Sequence, residues 1–408
     1  MPLRIYAASR RRLALTGLRF RSYDKSPQTK LRVFVMRTSK SHLVKGDLSM
    51  SKTKKGAALD ILKRVGGILV IPVVCYIVAR VMCAGFGTGL FISRLSWSTF
   101  FYGLTYLSLV AFAVSINLHS GRFDFSVSSI IILSCTVVVM LACSGVSNMW
   151  LLLLAGLGTG LVGGFISGEL YMILRLPPMI VSLGVALLYE AIAYIIAGGS
   201  ESNIVTSRQP AISDALKRFI GQNGASPVFL LIILATALLF MIAVFSYTRF
   251  GYDYRALQSG QKIAVNTGVN EYLNCLLCYV IAGAMAGLAG FFFGAQLQYT
   301  RVSAYLNFGT VSRMFDAFCP LFFAGFVGRF INKQIAIVIS VAGYEFLQVA
   351  FGNMNAVNTT FTSNIYGIIN SVILVVFLIY LNNENKIIEL VTLKKYIASK
   401  KEKAAEEP

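Results

Sequence analysis

The chain has 408 residues, of which 56% are hydrophobic and 13% charged, with 37 Lys/Arg against 17 Asp/Glu and a net charge of +20. An ordinary soluble domain carries about 25% charged residues, and a mean hydropathy of +0.70 is more apolar surface than a chain can hide from water by folding on itself. Soluble enzyme, secreted disulfide scaffold and disordered tail are excluded, and the composition implies an all-α polytopic membrane protein.

The charge is unevenly placed. Residues 1–64 hold 17 Lys/Arg against three Asp, while the rest of the chain carries 20 basic and 14 acidic side chains. A basic arm beside anionic lipid explains this more simply than nucleic-acid binding. Residues 1–49 have no long apolar run and no small-residue cleavage site, so a signal peptide fits poorly. Met50, followed by Lys52, Lys54, Lys55 and an apolar run, reads as a natural beginning. Residues 1–49 are then either a mis-assigned start or a disordered basic arm.

A helix needs about 20 apolar residues to cross a hydrocarbon core of about 30 Å. Such stretches fall near 65–84, 98–118, 125–143, 150–174, 179–197, 227–248, 273–297, 310–328, 331–351 and 364–381. They predict ten spans in a membrane domain over 65–381, with a charged tail at 382–408. Interruptions are expected near 119–124, where His119, Gly121, Arg122 and Asp124 follow one another, and near 316–320, where Asp316 precedes Pro320. Irregular backbone at membrane depth survives only where it is buried in protein or lines a cavity.

An even number of spans puts both termini on one side. The basic arm, Arg175, Arg249, Arg255, Lys262, Arg329, Lys333 and the tail share that side, which the positive-inside rule makes cytoplasmic. The loop at 198–226 is then extracytoplasmic, and its Ile212, Leu216, Phe219 and Ile220 share one helical face. The segment 249–272 is a cytoplasmic loop with helix formers interrupted by glycine.

Several residues invite a chemical reading. Gly156, Gly160, Gly164 and Gly168 recur every four residues in the fourth span, and Ala282, Ala286, Gly290 and Gly294 do so in the seventh, a spacing that lets helices approach closely. Ionisable groups inside spans are costly and functional by default. Asp124 and Asp316 suit half-helix N-termini; Glu169 and Glu190 fall near span ends and are expected to be wet; Glu345 lies deeper. Asn117, Asp124 and Ser126 are candidates for a solute path at the first interruption. Cys275 and Cys278 form a C-x-x-C with no second pair, so small packing residues are expected rather than a metal or redox site. With only two histidines, no catalytic or metal site is anticipated. No G-x-x-x-x-G-K-[ST] phosphate loop occurs, so the chain is not expected to hydrolyse ATP itself.

At this point the motifs resemble a known family. Phe123-Asp124-Phe125-Ser126-Val127-Ser128-Ser129 is similar to the I-D-L-S-V-G-S signature of bacterial ABC importer permeases for ribose and related simple sugars, of the ribose/branched-chain amino-acid type. Leu176-Pro177-Pro178-Met179-Ile180-Val181-Ser182-Leu183-Gly184 resembles its L-P-P-F-I-V-T-L-G. Ala256, Ala264, Gly268 and Val269 fall on the A…A…G-I frame of its cytoplasmic loop, and 279–290 on its small-residue stretch. Departures are Arg122 and Ser128 where the family has glycine, and Gln258-Ser259-Gly260 where it has G-G-N. The resemblance covers about 65–381. It implies a transport subunit that binds no cofactor, paired with a second permease copy or paralogue, a cytoplasmic ATP-binding subunit that uses ATP and Mg, and an extracytoplasmic solute-binding protein, in the bacterial cytoplasmic membrane. In that scheme Ala256, Ala264, Gly268 and Val269 would couple to the ATPase. Nucleosides are an alternative solute class, and an ion-coupled secondary carrier is the alternative mechanism.

Overall fold

The computed structural model describes residues 54–91, 94–199, 210–221, 227–298 and 312–355, with the single positions 368, 372 and 375. The chain divides into Met1–Lys63 and Arg64–Pro408. Of the first unit, 54–63 is helical; everything below concerns the second.

Among the described residues the regular structure of the second unit is all helical. In chain order the helices are α1 (Arg64–Gly85), α2 (Arg94–His119), α3 (Ser126–Cys143), α4 (Met149–Leu174), α5 (Pro178–Ile196), α6 (Pro210–Phe219) and α7 (Val228–Ile242), the last continued by a π turn at Ala243–Tyr247. Then follow α8 (Arg249–Ser259), α9 (Gln261–Asn266), α10 (Glu271–Leu297), α11 (Ser312–Phe315), α12 (Phe318–Val327) and α13 (Lys333–Asn355). Eight of these, α1 to α5, α7 with its π turn, α10 and α13, are long and apolar enough to cross a bilayer.

They coincide with eight of the ten expected spans. The stretch 310–328 differs: its described part is the short helices α11 and α12. The ten residues of α12 rise about 15 Å, half a hydrocarbon core. Pro320 sits in the first turn of α12, where its missing N–H removes no helical bond. The stretch expected at 364–381 lies outside the described residues except for the helical positions Ile368, Val372 and Val375.

Burial sorts the helices. In α10 72% of the apolar window is buried within the protein and in α2 78%, against 17% in α1 and 28% in α4 and α7. The outer helices turn Leu69, Val81, Leu154, Val162 and Leu239 outward, which is stable only against lipid. At the centre α10 packs against α4, α3 and α2.

Between α4 and α10 the contact is backbone on backbone. A Cβ at Gly160 would lie 2.6 Å from the Gly287 Cα, and one at Gly283 2.6 Å from the Gly164 Cα. Gly156 faces Gly287, and Gly168 faces Tyr279. The stripe on α10 that meets these glycines is Gly283/Gly287, not Ala282/Ala286. Gly290 and Gly294 face α3 instead, against Ser134 and Cys135. Because α10 has a neighbour on each side, it carries two adjacent small-residue stripes. Ser134 closes the three-helix junction by donating to the Gly287 carbonyl at 2.8 Å.

Cys275 and Cys278 are buried, unbridged packing residues in α10. Glu345 of α13 lies in the groove left by Gly103 of α2. Glu190 corrects an expectation: it is 6% exposed, because α5 turns it into the protein.

Candidate functional site

The two ends of the bundle differ. At one, the last turn of α2 meets α8, through the Tyr254 hydroxyl donating to the Ile116 carbonyl at 2.8 Å. The first turn of α10 meets α8 there too, through Asn274 Nδ2 donating to the Phe250 carbonyl at 3.1 Å. At the other, Ser98 donates to the Gly221 carbonyl at 2.7 Å and Asn353 to the carbonyls of Gly89 and Leu90.

The junction between α2 and α3 lies at the first end. α2 terminates in a Schellman cap: Gly121 at φ +76° donates to the Leu118 carbonyl, and the Arg122 N–H to the Asn117 carbonyl. Three residues later Asp124, 6% exposed, opens α3. Its Oδ1 accepts from the Ser126 N–H at 2.9 Å and the Ser126 hydroxyl at 2.6 Å, and its Oδ2 accepts from Asn117 Nδ2 at 2.8 Å. The three candidates Asn117, Asp124 and Ser126 are thus one hydrogen-bonded cluster joining two helix ends. Burial pushes the Asp124 carboxyl up, against the pull of its three donors. Among the described residues Asn117 Oδ1 is buried without a partner.

Arg122, read in the sequence as part of the expected interruption and as a departure from glycine, is 9% exposed, and among the described residues its Nη1 has no partner. Its guanidinium stands 5.9 Å from the centre of the Tyr171 ring. The signal that would have found it is the charge itself, in a sequence where almost every neighbour is apolar.

α8 and α9 form a compact two-helix element. Thr248 caps α8 by accepting from the Gly251 N–H at 3.3 Å. α9 ends in a second Schellman cap, with Gly268 at φ +98° and the Val269 N–H donating to the Ala264 carbonyl at 3.2 Å. Gln261 on α9 donates to Glu271 on α10. Of the four coupling candidates, Ala264 is 4% exposed and holds α9 down; Gly268 and Val269 form the cap, and Ala256 is half-buried on α8. Facing outward are the apolar Ile263, 73% exposed, Tyr252, 59%, and Val265, 43%, beside the exposed polar Arg255, Gln261, Lys262 and Asn266. Burial raises the Tyr254 hydroxyl well above the usual phenol range, keeping it a donor.

At the far end α6 lies with Ile212, Leu216 and Ile220 buried and Asp214 and Arg218 exposed. Ser213 donates to Gln298 Oε1 at 2.7 Å, and Gln298 Nε2 returns a bond to the Ser213 carbonyl at 3.0 Å. Gln298 itself ends α10 at φ +60°.

A bundle with eight helices long and apolar enough to cross a bilayer among its described residues, an interrupted apolar stretch and a two-helix element at one end define the class: a polytopic membrane protein. Residues 96–388 match the family described as branched-chain amino acid transport system / permease component, and the chain belongs to that family. It is 25% identical over 244 residues to the galactofuranose transporter permease protein YtfT of Escherichia coli (strain K12), covering 59% of this chain and 67% of that one. It is 27% identical over 193 residues to the autoinducer 2 import system permease protein LsrC of Photorhabdus luminescens, covering 47% of this chain and 56% of that one. The corresponding protein of Yersinia pestis (strain Pestoides F) is 27% identical over 209 residues, covering 51% and 57%. The match thus spans little more than half the length of the autoinducer 2 permeases.

Proposed function

We propose that the chain is the transmembrane subunit of a bacterial ATP-binding-cassette importer that carries a simple sugar or a related small polar solute inward across the cytoplasmic membrane. Family membership supports a permease, and two similar relatives are named for galactofuranose and autoinducer 2. The observation that carries the energy-coupling part is the α8–α9 element. It is pinned to α2 and α10 by Tyr254, Asn274 and Gln261 and presents Ile263, Val265 and Tyr252 outward. An apolar patch on a rigid support outside the spans is what a docking partner requires. A cytoplasmic ATP-binding subunit is that partner, and it uses the ATP and Mg.

On this reading both termini are cytoplasmic, and the ten-span count is completed by the stretches 310–328 and 364–381. The end bearing α8 and α9 also carries Arg175, Arg249, Arg255, Lys262, Arg329 and Lys333, as the positive-inside rule requires. A solute-binding protein delivers solute at the far end, where α6 shows Asp214 and Arg218. A second permease copy or paralogue completes the pair, with the path running beside the 117–126 junction.

The test is co-expression with the neighbouring ATPase and binding-protein genes, followed by solute-stimulated ATP hydrolysis in proteoliposomes. Hydrolysis that depends on this chain and on the binding protein supports the reading. Uptake that persists without ATP and collapses with an ionophore assigns an ion-coupled carrier instead.

A further inference from the structure

Two cavities adjoin at the α8 end of the bundle, sharing His119, Lys333 and Ile337 in their walls. The larger, about 290 Å³, sits between the last turn of α2, the π turn, α8 and the first turn of α13, and its wall includes His119, Ser246, Tyr254, Arg255, Lys333 and Gln334. The smaller, about 170 Å³, shares His119 and Lys333 and adds Arg329. Among the described residues neither wall contains an aspartate or glutamate.

Among the described residues the side chains of Arg329 and Lys333 make no ion pair or hydrogen bond, and the Arg255 guanidinium meets only the Tyr252 ring, at 4.7 Å from its centre. Gln334 Oε1 is buried without a partner. A half-turn of that amide puts its NH2 in the same place. Other polar groups in the wall are spoken for: the Tyr254 hydroxyl donates to Ile116, His119 Nδ1 lies 2.8 Å from the Ser115 carbonyl, and Asn332 Nδ2 donates to Ser246 Oγ at 3.2 Å.

A hollow of this size holds roughly ten waters at about 30 Å³ each, more than enough for a tetrahedral oxyanion. Arginine offers a planar fork of donors to such an anion and lysine a point charge. We propose that this hollow binds a phosphate-bearing anion, held by Arg255 from α8 and Lys333 from α13, with Arg329 at the adjoining cavity. Bound there, the anion bridges the docking element to the helix that packs on α2, so its occupancy ties the α8–α9 element to the membrane bundle. Nothing in this depends on which solute is transported.

A phospholipid headgroup and a soluble phosphate share the required chemistry, and two measurements separate them. In the first, the purified full-length chain in non-ionic detergent is melted at increasing inorganic phosphate, with ionic strength held constant by sodium chloride. A saturable rise in Tm is expected. The Arg255→Gln/Lys333→Gln double variant should bind about tenfold more weakly or not at all. Lys217→Gln/Arg218→Gln, at the opposite end, should respond as the wild type does. Arg255 and Lys333 are both exposed, and Arg255→Gln alone serves if the double variant fails to fold.

In the second, the chain is extracted from phosphatidylcholine nanodiscs with and without phosphatidylglycerol and examined by native mass spectrometry. Phosphatidylglycerol retained by the wild type and lost from the double variant assigns the site to lipid; a response to inorganic phosphate alone assigns it to a soluble anion. Absence of both forms of binding in the wild type, or equal binding in the double variant, overturns the proposal. So does a double variant whose sole defect is failure to hold the ATP-binding subunit, which would give these cations to an acidic face of that partner.

Discussion

Between α4 and α10 the two backbones touch, with Gly160 and Gly164 set against Gly283 and Gly287 and no side chain between them. At α8 and α9 the attachment is made by a few side-chain hydrogen bonds, from Tyr254, Asn274 and Gln261, while the large apolar groups Ile263 and Val265 face away. The seam gains its stability from close van der Waals contact of backbones, which lipid cannot compete for. The helix pair keeps its apolar atoms unspent. One region has no room for a single added atom, and the other is arranged to receive many.

Breaking the seam should have the largest effect. Gly160→Leu or Gly283→Leu forces side-chain carbons onto opposing backbone, and overpacking of this kind costs about 3 kcal/mol or more. We expect loss of monodisperse protein by size exclusion in detergent; a normal profile and Tm would show that the helices can separate without penalty. Gly158→Leu, on the same helix but with nothing within 4 Å, should be tolerated and so sharpens the contrast.

The next effect falls on the helix pair. Ile263→Asp with Val265→Asp should leave the Tm unchanged and lower solute-stimulated ATP hydrolysis about tenfold or more, as loss of interface anchors does. Ala264→Asp is the less informative change, because Ala264 is buried and its replacement disturbs α9 itself. Hydrolysis at the wild-type rate in the double variant would remove α8–α9 from the coupling role.

A smaller effect attends the α2–α3 junction. The raised pKa of Asp124 has burial as its cause, so its charge is more costly in the folded protein than in the unfolded chain. Stability should therefore be highest below the unfolded carboxylate range and fall as pH rises through the raised folded value. Asp124→Asn should flatten that fall. The Asn117 amide, whose Oδ1 is unpartnered, turns over to accept from the new carboxamide. A pH profile of Tm identical in both proteins would contradict this.

The smallest effect is at the far end. Ser213→Ala removes one buried hydroxyl from its exchange with Gln298, and a neutral hydrogen bond of this kind is worth about 1 kcal/mol. A modest drop in Tm with unchanged ATP hydrolysis is expected; a large loss of hydrolysis would give α6 a role beyond packing.

The spans were legible in the sequence because hydrophobic length is a one-dimensional property, and eight of the ten expected stretches coincide with helices long enough to cross. The 310–328 stretch was legible as an interrupted one: hydropathy continues through Asp316 and Ala317, and the break expected near 316–320 falls there, between α11 and α12. Spacing every four residues located the glycines of α4 but not their partner stripe, since α10 has small residues on two adjacent faces and only tertiary packing decides which meets α4. Asp124 and Asn117 were readable as neighbours of a helix break. Arg122 as a buried cation was not, because burial is a property of the assembled bundle. The cationic hollow draws on residues near 119, 255, 329 and 333, and no local pattern joins segments so far apart.

The π turn at Ala243–Tyr247 fits one more residue into a helical turn than an α-helix would. Regularising that turn to α geometry with every residue kept would swing everything after it by about 100°. Gly251, whose missing side chain lets α8 rest against the Phe245 backbone, would then point elsewhere, and Tyr254 would lose Ile116. The helix from Val228 to Tyr247 therefore carries two specifications: its whole length matches the thickness of the bilayer, and its last turn sets the azimuth of the element that follows.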